Sequence, residues 1–204
     1  MFDAYLRRKI DPPLDAVGRA LARANVGANT VTLAGFAVGI AAAVAIALGA
    51  PFVGLALIAL NRLADGLDGA IARASERTDI GGYLDIVCDF LVYGAVPFGF
   101  VLADPDANAL AGAALLASFY ASGSTFLAFS ALAARRGLST SAQGVKSLYY
   151  LGGIAEGGET IVFFVVACLF ADHFAILAWI FAAICTFSAL MRVINGALML
   201  HAPK

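Results

Sequence analysis

Charge is scarce in this chain. Only 13% of its 204 residues are Asp, Glu, Lys or Arg, about half the share of an ordinary soluble domain. Hydrophobic residues make up 62%, against about 45–50% ordinarily, and a soluble core of this length has no room for so much apolar surface. A soluble globular enzyme and a disordered chain are both excluded. The formal net charge of −1 lacks the basic footprint of a polyanion binder, so no nucleic-acid partner is expected. Cysteine is equally sparse. Cys88, Cys168 and Cys185 lie far apart in apolar stretches with no CxxC spacing, which excludes a disulfide framework and predicts small buried side chains. The apolar runs are continuous rather than alternating, so a membrane β-barrel is excluded too.

What is present is a set of long apolar segments. Windows of about 19 residues place spans at 31–49, 51–74, 80–103, 107–134, 150–170 and 174–200. The second half of the second span is polar. The N-terminal segment is charged and interrupted by Pro12 and Pro13, unlike a cleavable signal peptide. Beyond the prolines, Leu14, Val17, Ala20 and Leu21 recur at helical spacing against Asp15, Arg19 and Arg23, the pattern of an amphipathic helix lying on a membrane surface. The expected fold is therefore all-α, a polytopic membrane protein with six transmembrane helices plus an N-terminal amphipathic surface helix. It forms a single domain over 1–204, with 1–28 as the juxtamembrane segment and 29–204 as the six-helix bundle.

Orientation follows from the basic residues. All 13 Lys and Arg fall on the N-terminal side of the first span, in alternate connections or at the C-terminus, or within spans toward that same side. The connections around Ala50, Pro105 and Asp172 contain none. The positive-inside rule then predicts a multi-pass protein of the cell (inner) membrane with both termini cytoplasmic.

Four aspartates stand where a bilayer makes charge costly, and such residues mark function. Asp65, Asp68, Gly69 and Ala72 share one helix face at i, i+3, i+4 and i+7, and Gly81, Asp85 and Asp89 follow at i, i+4 and i+8 on the next helix. The short connection makes the two helices antiparallel neighbours. At about 1.5 Å rise per residue, Asp65 and Asp68 lie roughly 21 and 26 Å from Pro51, while Asp85 and Asp89 lie roughly 8 and 14 Å from Ile80. Both pairs reach one level near the cytoplasmic interface. Four carboxylates together require protons or cations. With no His or Cys ligand set nearby, they form a hard oxygen site suited to Mg²⁺ or Mn²⁺. Two divalent ions would balance four carboxylates and still attract a pyrophosphate, as in two-metal phosphoryl transfer. Gly69 and Gly81 would let a nucleotide approach closely, and Arg73 would bind a phosphate oxygen.

These residues spell Asp65-x2-Asp68-Gly69-x2-Ala72-Arg73-x7-Gly81-x3-Asp85-x3-Asp89, which resembles the signature of the CDP-alcohol phosphotransferase (CDP-alcohol phosphatidyltransferase) family of membrane phospholipid-synthesis enzymes. The interval between Arg73 and Gly81 is seven residues, one shorter than the family often shows. The resemblance implies transfer of a substituted phosphate from a CDP-linked donor, such as CDP-diacylglycerol, to a polar alcohol with release of CMP. It implies two divalent cations held by Asp65, Asp68, Asp85 and Asp89, with Asp89 as general base for the acceptor hydroxyl. Asp65, Gly69, Ala72, Arg73 and Gly81 match positions around the cytidine nucleotide, and Asn29-x-x-Thr32 resembles a further family feature there. Family members are homodimers, so a homodimer is expected.

The acceptor is less legible. Arg135, Arg136, Lys146 and Arg192 would suit a phosphorylated alcohol, or serve as positive-inside anchors, while Tyr149 and Tyr150 would offer aromatic faces to a cation. Glu156 and Glu159, at i, i+3 in a glycine-rich stretch, would suit an amine, a quaternary ammonium or sugar hydroxyls, and favour an unphosphorylated alcohol. A phosphatidylglycerophosphate synthase-like or lipid-acceptor activity is the alternative within the family. A divalent-cation transporter is the alternative outside it. A transporter would place its acids near the midplane, whereas these cluster toward one face.

Overall fold

A computed structural model describes residues 2–136 and 155–201. Among them there are seven α-helices and no strand: α1 Phe2–Arg23, α2 Ala28–Ala47, α3 Pro51–Ala74, α4 Asp79–Ala103, α5 Pro105–Arg135, α6 Gly157–Leu169 and α7 Phe174–His201, the last preceded by a 3₁₀ turn at Ala171–His173. Helices α2 to α7 match the six predicted spans, although the start of the fifth lies outside the described residues. Four stretches are long and apolar enough to cross a membrane: α2, α4, α5 and the 31 residues Ala171–His201. Helix α3 has the length, at 24 residues, but Asn61, Arg62, Asp65, Asp68 and Arg73 occupy its second half. The protein is a polytopic helical membrane protein.

Local chemistry sets the turns. Helix α1 ends on Asn25, whose φ of 58° is the left-handed C-cap conformation. Asn25 N–H donates to Ala22 O, and Val26 N–H donates to Leu21 O. Gly49 (φ 78°) closes α2 in the same way, and Pro51 opens α3 where its missing N–H costs nothing. Thr78 caps α4 by accepting from Gly81 N–H at 3.1 Å. The four residues between α3 and α4 fold the motif back on itself.

The chain divides into two compact units. One contains α1 to α4 with residues 164–171, and the other contains α5, the start of α6 and α7. In the first, small residues let helix backbones meet. A Cβ on Gly35 would lie 2.8 Å from Ala64 Cβ, and one on Gly99 would lie 2.5 Å from Ala43 O. One turn apart on α2, Gly35 faces α3 and Gly39 faces α4. In the second unit, Phe163 stacks on Phe181 with centroids 4.6 Å apart, and Phe119 meets Phe181 edge-on. All three cysteines are free and buried.

Helix α1 departs from expectation twice. It runs through Pro12 and Pro13 without a break. The prolines remove two hydrogen bonds, but the half that follows is held by packing on α3. That packing is also rotated from the predicted apolar stripe. Gly18 is buried, and a Cβ there would lie 2.6 Å from Ala70 Cβ and 2.7 Å from the Ala70 carbonyl carbon, while Leu14 covers Gly66. Val17 remains 47% exposed. Backbone approach at Gly18, rather than apolar area, decides which side meets α3.

Candidate active site

The site is built from the second half of α3, the first half of α4 and the first turns of α2. Asp65 and Asp68 project from α3 and Asp85 from α4. One oxygen from each lies within 4.8 Å of the others. Asp68 is buried, and Thr32 Oγ1 donates to its Oδ2 at 2.6 Å. That hydrogen bond ties α2 to α3 and fixes one carboxylate before any ligand arrives. Three carboxylate oxygens at this spacing fit a hard divalent cation such as Mg²⁺ or Mn²⁺, and the Cys88 thiol lines the same cavity without belonging to the cluster.

Asp89 stands apart from this trio. Its Oδ1 accepts from Arg62 Nη2 at 2.6 Å, and Arg62 Nη1 lies 3.6 Å from Asp65 Oδ2. Of the four aspartates read as a single ligand set, three converge and the fourth pairs with a guanidinium. The trio, Asp89, Thr32, Asn61 and Arg62 line one small cavity of about 10 Å³.

The remaining motif residues surround the trio. A Cβ on Gly81 would sit 3.0 Å from Asn29 Oδ1 and 3.1 Å from Thr78 Oγ1, so Asn29, singled out from the sequence, stands directly beside Gly81. A Cβ on Gly69 would sit 3.3 Å from Arg73 Nη1, which places the guanidinium over that glycine. Arg73 also has an unexpected partner: its Nε and Nη2 donate to Asp15 Oδ1 at 3.1 and 2.7 Å. Ala72 follows on the same turn of α3, half-buried.

The acceptor candidates fall in the second unit or outside the described residues. Arg135 is exposed at the end of α5. Lys146, Tyr149 and Tyr150 lie outside the described residues. Glu159 Oε2 accepts from Glu156 N–H at 3.1 Å, so it serves as an N-terminal cap of α6. Arg192, by contrast, is buried. It donates to Ser122 Oγ at 2.7 Å and Ala155 O at 3.3 Å, and its Nε has no partner among the described residues.

Sequence reasoning passed over three residues here. Arg62 served only as a marker of orientation, although its position three residues before Asp65 puts it on the same face. Asn61 and Asp15 gave no motif signal.

The family model described as CDP-alcohol phosphatidyltransferase matches residues 25–191. The chain is 50% identical over 200 residues to Inner membrane protein YnjF of Escherichia coli K12, covering 98% of this chain and 97% of that one. It is 30% identical over 182 residues to an archaetidylinositol phosphate synthase of Pyrococcus horikoshii, covering 86% and 89%. Its fold is similar to the crystal structure of Mycobacterium tuberculosis phosphatidylinositol phosphate synthase PgsA1 with CDP-DAG bound, with a TM-score of 0.71 at 22% identity over 90% of this chain and 92% of that one. The same enzyme in complex with manganese and citrate superposes with a TM-score of 0.72 at 22% identity, over 90% and 88%. A motif of four aspartates on two antiparallel helices, matched by a family model across most of the chain, makes this protein a member of the CDP-alcohol phosphatidyltransferase family.

Proposed function

We propose that the protein transfers a phosphatidyl group from a CDP-linked donor, CDP-diacylglycerol, to a polar alcohol with release of CMP, at the cytoplasmic face of the inner membrane. The observation that carries this reading is the convergence of Asp65, Asp68 and Asp85 within 4.8 Å, with Asp89 lining the same cavity. The trio would hold the first of two divalent ions. When bound, such ions polarise a pyrophosphate and stabilise the departing CMP. The chain's own residues do the rest. Thr32 keeps Asp68 oriented, Gly69 and Gly81 admit the nucleotide beside Asn29 and Ala72, and Arg73 offers its remaining donors to a phosphate oxygen. Asp89 accepts the proton of the acceptor hydroxyl as its oxygen bonds to the phosphorus and the P–O bond to CMP breaks.

A second reading of the acceptor is favoured by Arg192. Its partners are neutral and its Nε is unpaired among the described residues, which an anionic, phosphorylated alcohol would satisfy. Glu159, the residue that had favoured an unphosphorylated acceptor, is engaged as a helix cap. The relative named archaetidylinositol phosphate synthase supports the phosphorylated class.

The test is CMP release by purified protein in detergent, given CDP-diacylglycerol, Mg²⁺ or Mn²⁺, and a panel of phosphorylated and unphosphorylated alcohols. Release that needs both the metal and one acceptor is expected. Failure to bind CDP-diacylglycerol in the presence of metal would overturn the donor. Asp89→Asn should keep donor binding and lower turnover by about 10²–10⁴-fold; near-normal turnover would remove Asp89 from the role of base.

A further inference from the structure

The Arg73 guanidinium is shared between two helices. It grows from α3, but its Nε and Nη2 donate to Asp15 Oδ1 on α1, at 3.1 and 2.7 Å. The arginine belongs to the motif and the aspartate lies outside it. Side chains on a helix lean toward its N-terminus, and Arg73 follows that rule. A Cβ on Gly69, one turn earlier, would meet its Nη1 at 3.3 Å. The residue before that glycine is Asp68, which supplies an oxygen to the carboxylate cluster. The guanidinium thus reaches from α1 at one edge to the border of the cation site at the other.

Packing fixes the ground that Asp15 stands on. A step of four residues on α1 meets a step of four on α3. Leu14 covers Gly66, and a Cβ on Gly18 would lie 2.6 Å from Ala70 Cβ. Asp15 projects from the turn between those two contacts, so pairing with Arg73 asks no further ordering of the main chain. An acid beside a phosphate-binding arginine has two possible uses. It occupies the donors that the phosphate needs, or it grips the fork by one edge and leaves the other edge open. A guanidinium carries five N–H donors in a fixed plane. Both Asp15 bonds fall on the Nε and Nη2 edge, which leaves Nη1, the nitrogen over Gly69, for a ligand. The geometry matches the second use.

We propose that Asp15 is a positioning residue for the donor: it holds Arg73 by the Nε and Nη2 edge so that Nη1 stays over Gly69, aimed at a phosphate oxygen of the incoming nucleotide. The proposal rests on the reading of a CDP-linked donor with Arg73 on its phosphate. A free arginine spreads over many rotamers, and fixing it before the donor arrives removes that cost from binding. Helix α1 then contributes to the donor site through one carboxylate that never touches the nucleotide.

The experiment is a double-mutant cycle on purified protein in detergent with Mg²⁺: wild type, Asp15→Asn, Arg73→Met and the Asp15→Asn/Arg73→Met variant. CDP binding is measured by calorimetry, and CMP release is followed while CDP-diacylglycerol is varied. Asp15→Asn should weaken CDP binding and raise the donor KM about three- to fivefold, the reach of an ion pair about one-third exposed. Its kcat and acceptor KM should stay near wild type. In the Arg73→Met background the same substitution should change CDP affinity by less than about 1.5-fold, because its effect passes through the missing guanidinium. Equal losses in both backgrounds would make Asp15 an ordinary structural residue and overturn the proposal. Tighter CDP binding in Asp15→Asn would overturn it too, since Asp15 would then compete with the donor. If Arg73→Met binds too weakly to measure, Arg73→Lys serves as the background, and an undiminished Asp15→Asn loss there overturns the proposal. Wild-type protein that binds no CDP with metal defeats the donor reading itself. Wild-type binding that Asp15→Asn leaves unchanged defeats the positioning role alone.

Discussion

In the first unit, charge comes in company. Asp68 has Thr32, Asp89 has Arg62, Arg62 has Asn61 and Tyr93, and Arg73 has Asp15. In the second unit, Arg192 is the one buried charge among the described residues, with Ser122 Oγ and the main-chain carbonyls of Ser122 and Ala155 as partners and an unpaired Nε. The two regions differ in what they demand from outside. The first gathers three carboxylates within 4.8 Å of one another, which suits added positive charge. The second has, among the described residues, a cation whose hydrogen-bond partners are neutral, and under the proposed reading an anionic acceptor would supply its counter-charge. A buried charge that the protein leaves uncompensated points to the sign of its ligand.

The largest test of that contrast is removal of the negative excess. Asp68→Asn or Asp85→Asn, or chelation of divalent metal from the wild-type protein, should reduce CMP release by about 10³-fold or more, since the bound ion supplies several kcal/mol of charge stabilisation. Mn²⁺ binding should weaken in parallel in the two variants; retained binding would mean that the trio is not the ligand set. Next comes the lone cation. Arg192→Met should raise the acceptor KM about 10–100-fold, the equivalent of one charge-assisted hydrogen bond, and leave donor KM alone. Unchanged acceptor KM would break the comparison and make Arg192 a structural residue. Thr32→Val is a finer probe: deleting the 2.6 Å bond to Asp68 should weaken Mn²⁺ binding about 10-fold, as loss of a ligand's outer partner commonly does. The smallest effect belongs to Asp15→Asn. Its pair with Arg73 is about one-third exposed on both sides, so stability should change by less than about 1 kcal/mol, and the melting temperature checks this. A larger loss would show that the pair fastens α1.

Much of this site was legible because its spacing follows helical geometry. Asp65, Asp68 and Gly69 announce one face of a helix, and Asp85 with Asp89 announces its neighbour, so convergence followed from periodicity and a short turn alone. Asn29 and Thr32 required the family resemblance, because a single polar turn at a helix start has an ordinary structural meaning. The pairing of Asp89 with Arg62 was not legible: the two lie 27 positions apart, and no local pattern tells a positive-inside arginine from one aimed at a carboxylate. The docking of α1 was hidden for a related reason. The apolar stripe of Leu14 and Val17 predicts one contact side, but glycine at 18 permits a backbone approach that outweighs it.

That docked helix also has a history. Asp15 and Arg73 are 58 residues apart, and Gly18 meets Ala70 across a similar interval. At about 5–20 residues per second, α1 is made on the order of 3–12 s before the surface it fits. During that interval the bilayer is the natural partner of its apolar side. The contacts that seat α1, Gly18 on Ala70 and Asp15 with Arg73, therefore cannot form until α3 has been made: the earliest helix of the chain waits for a later one before it has its place.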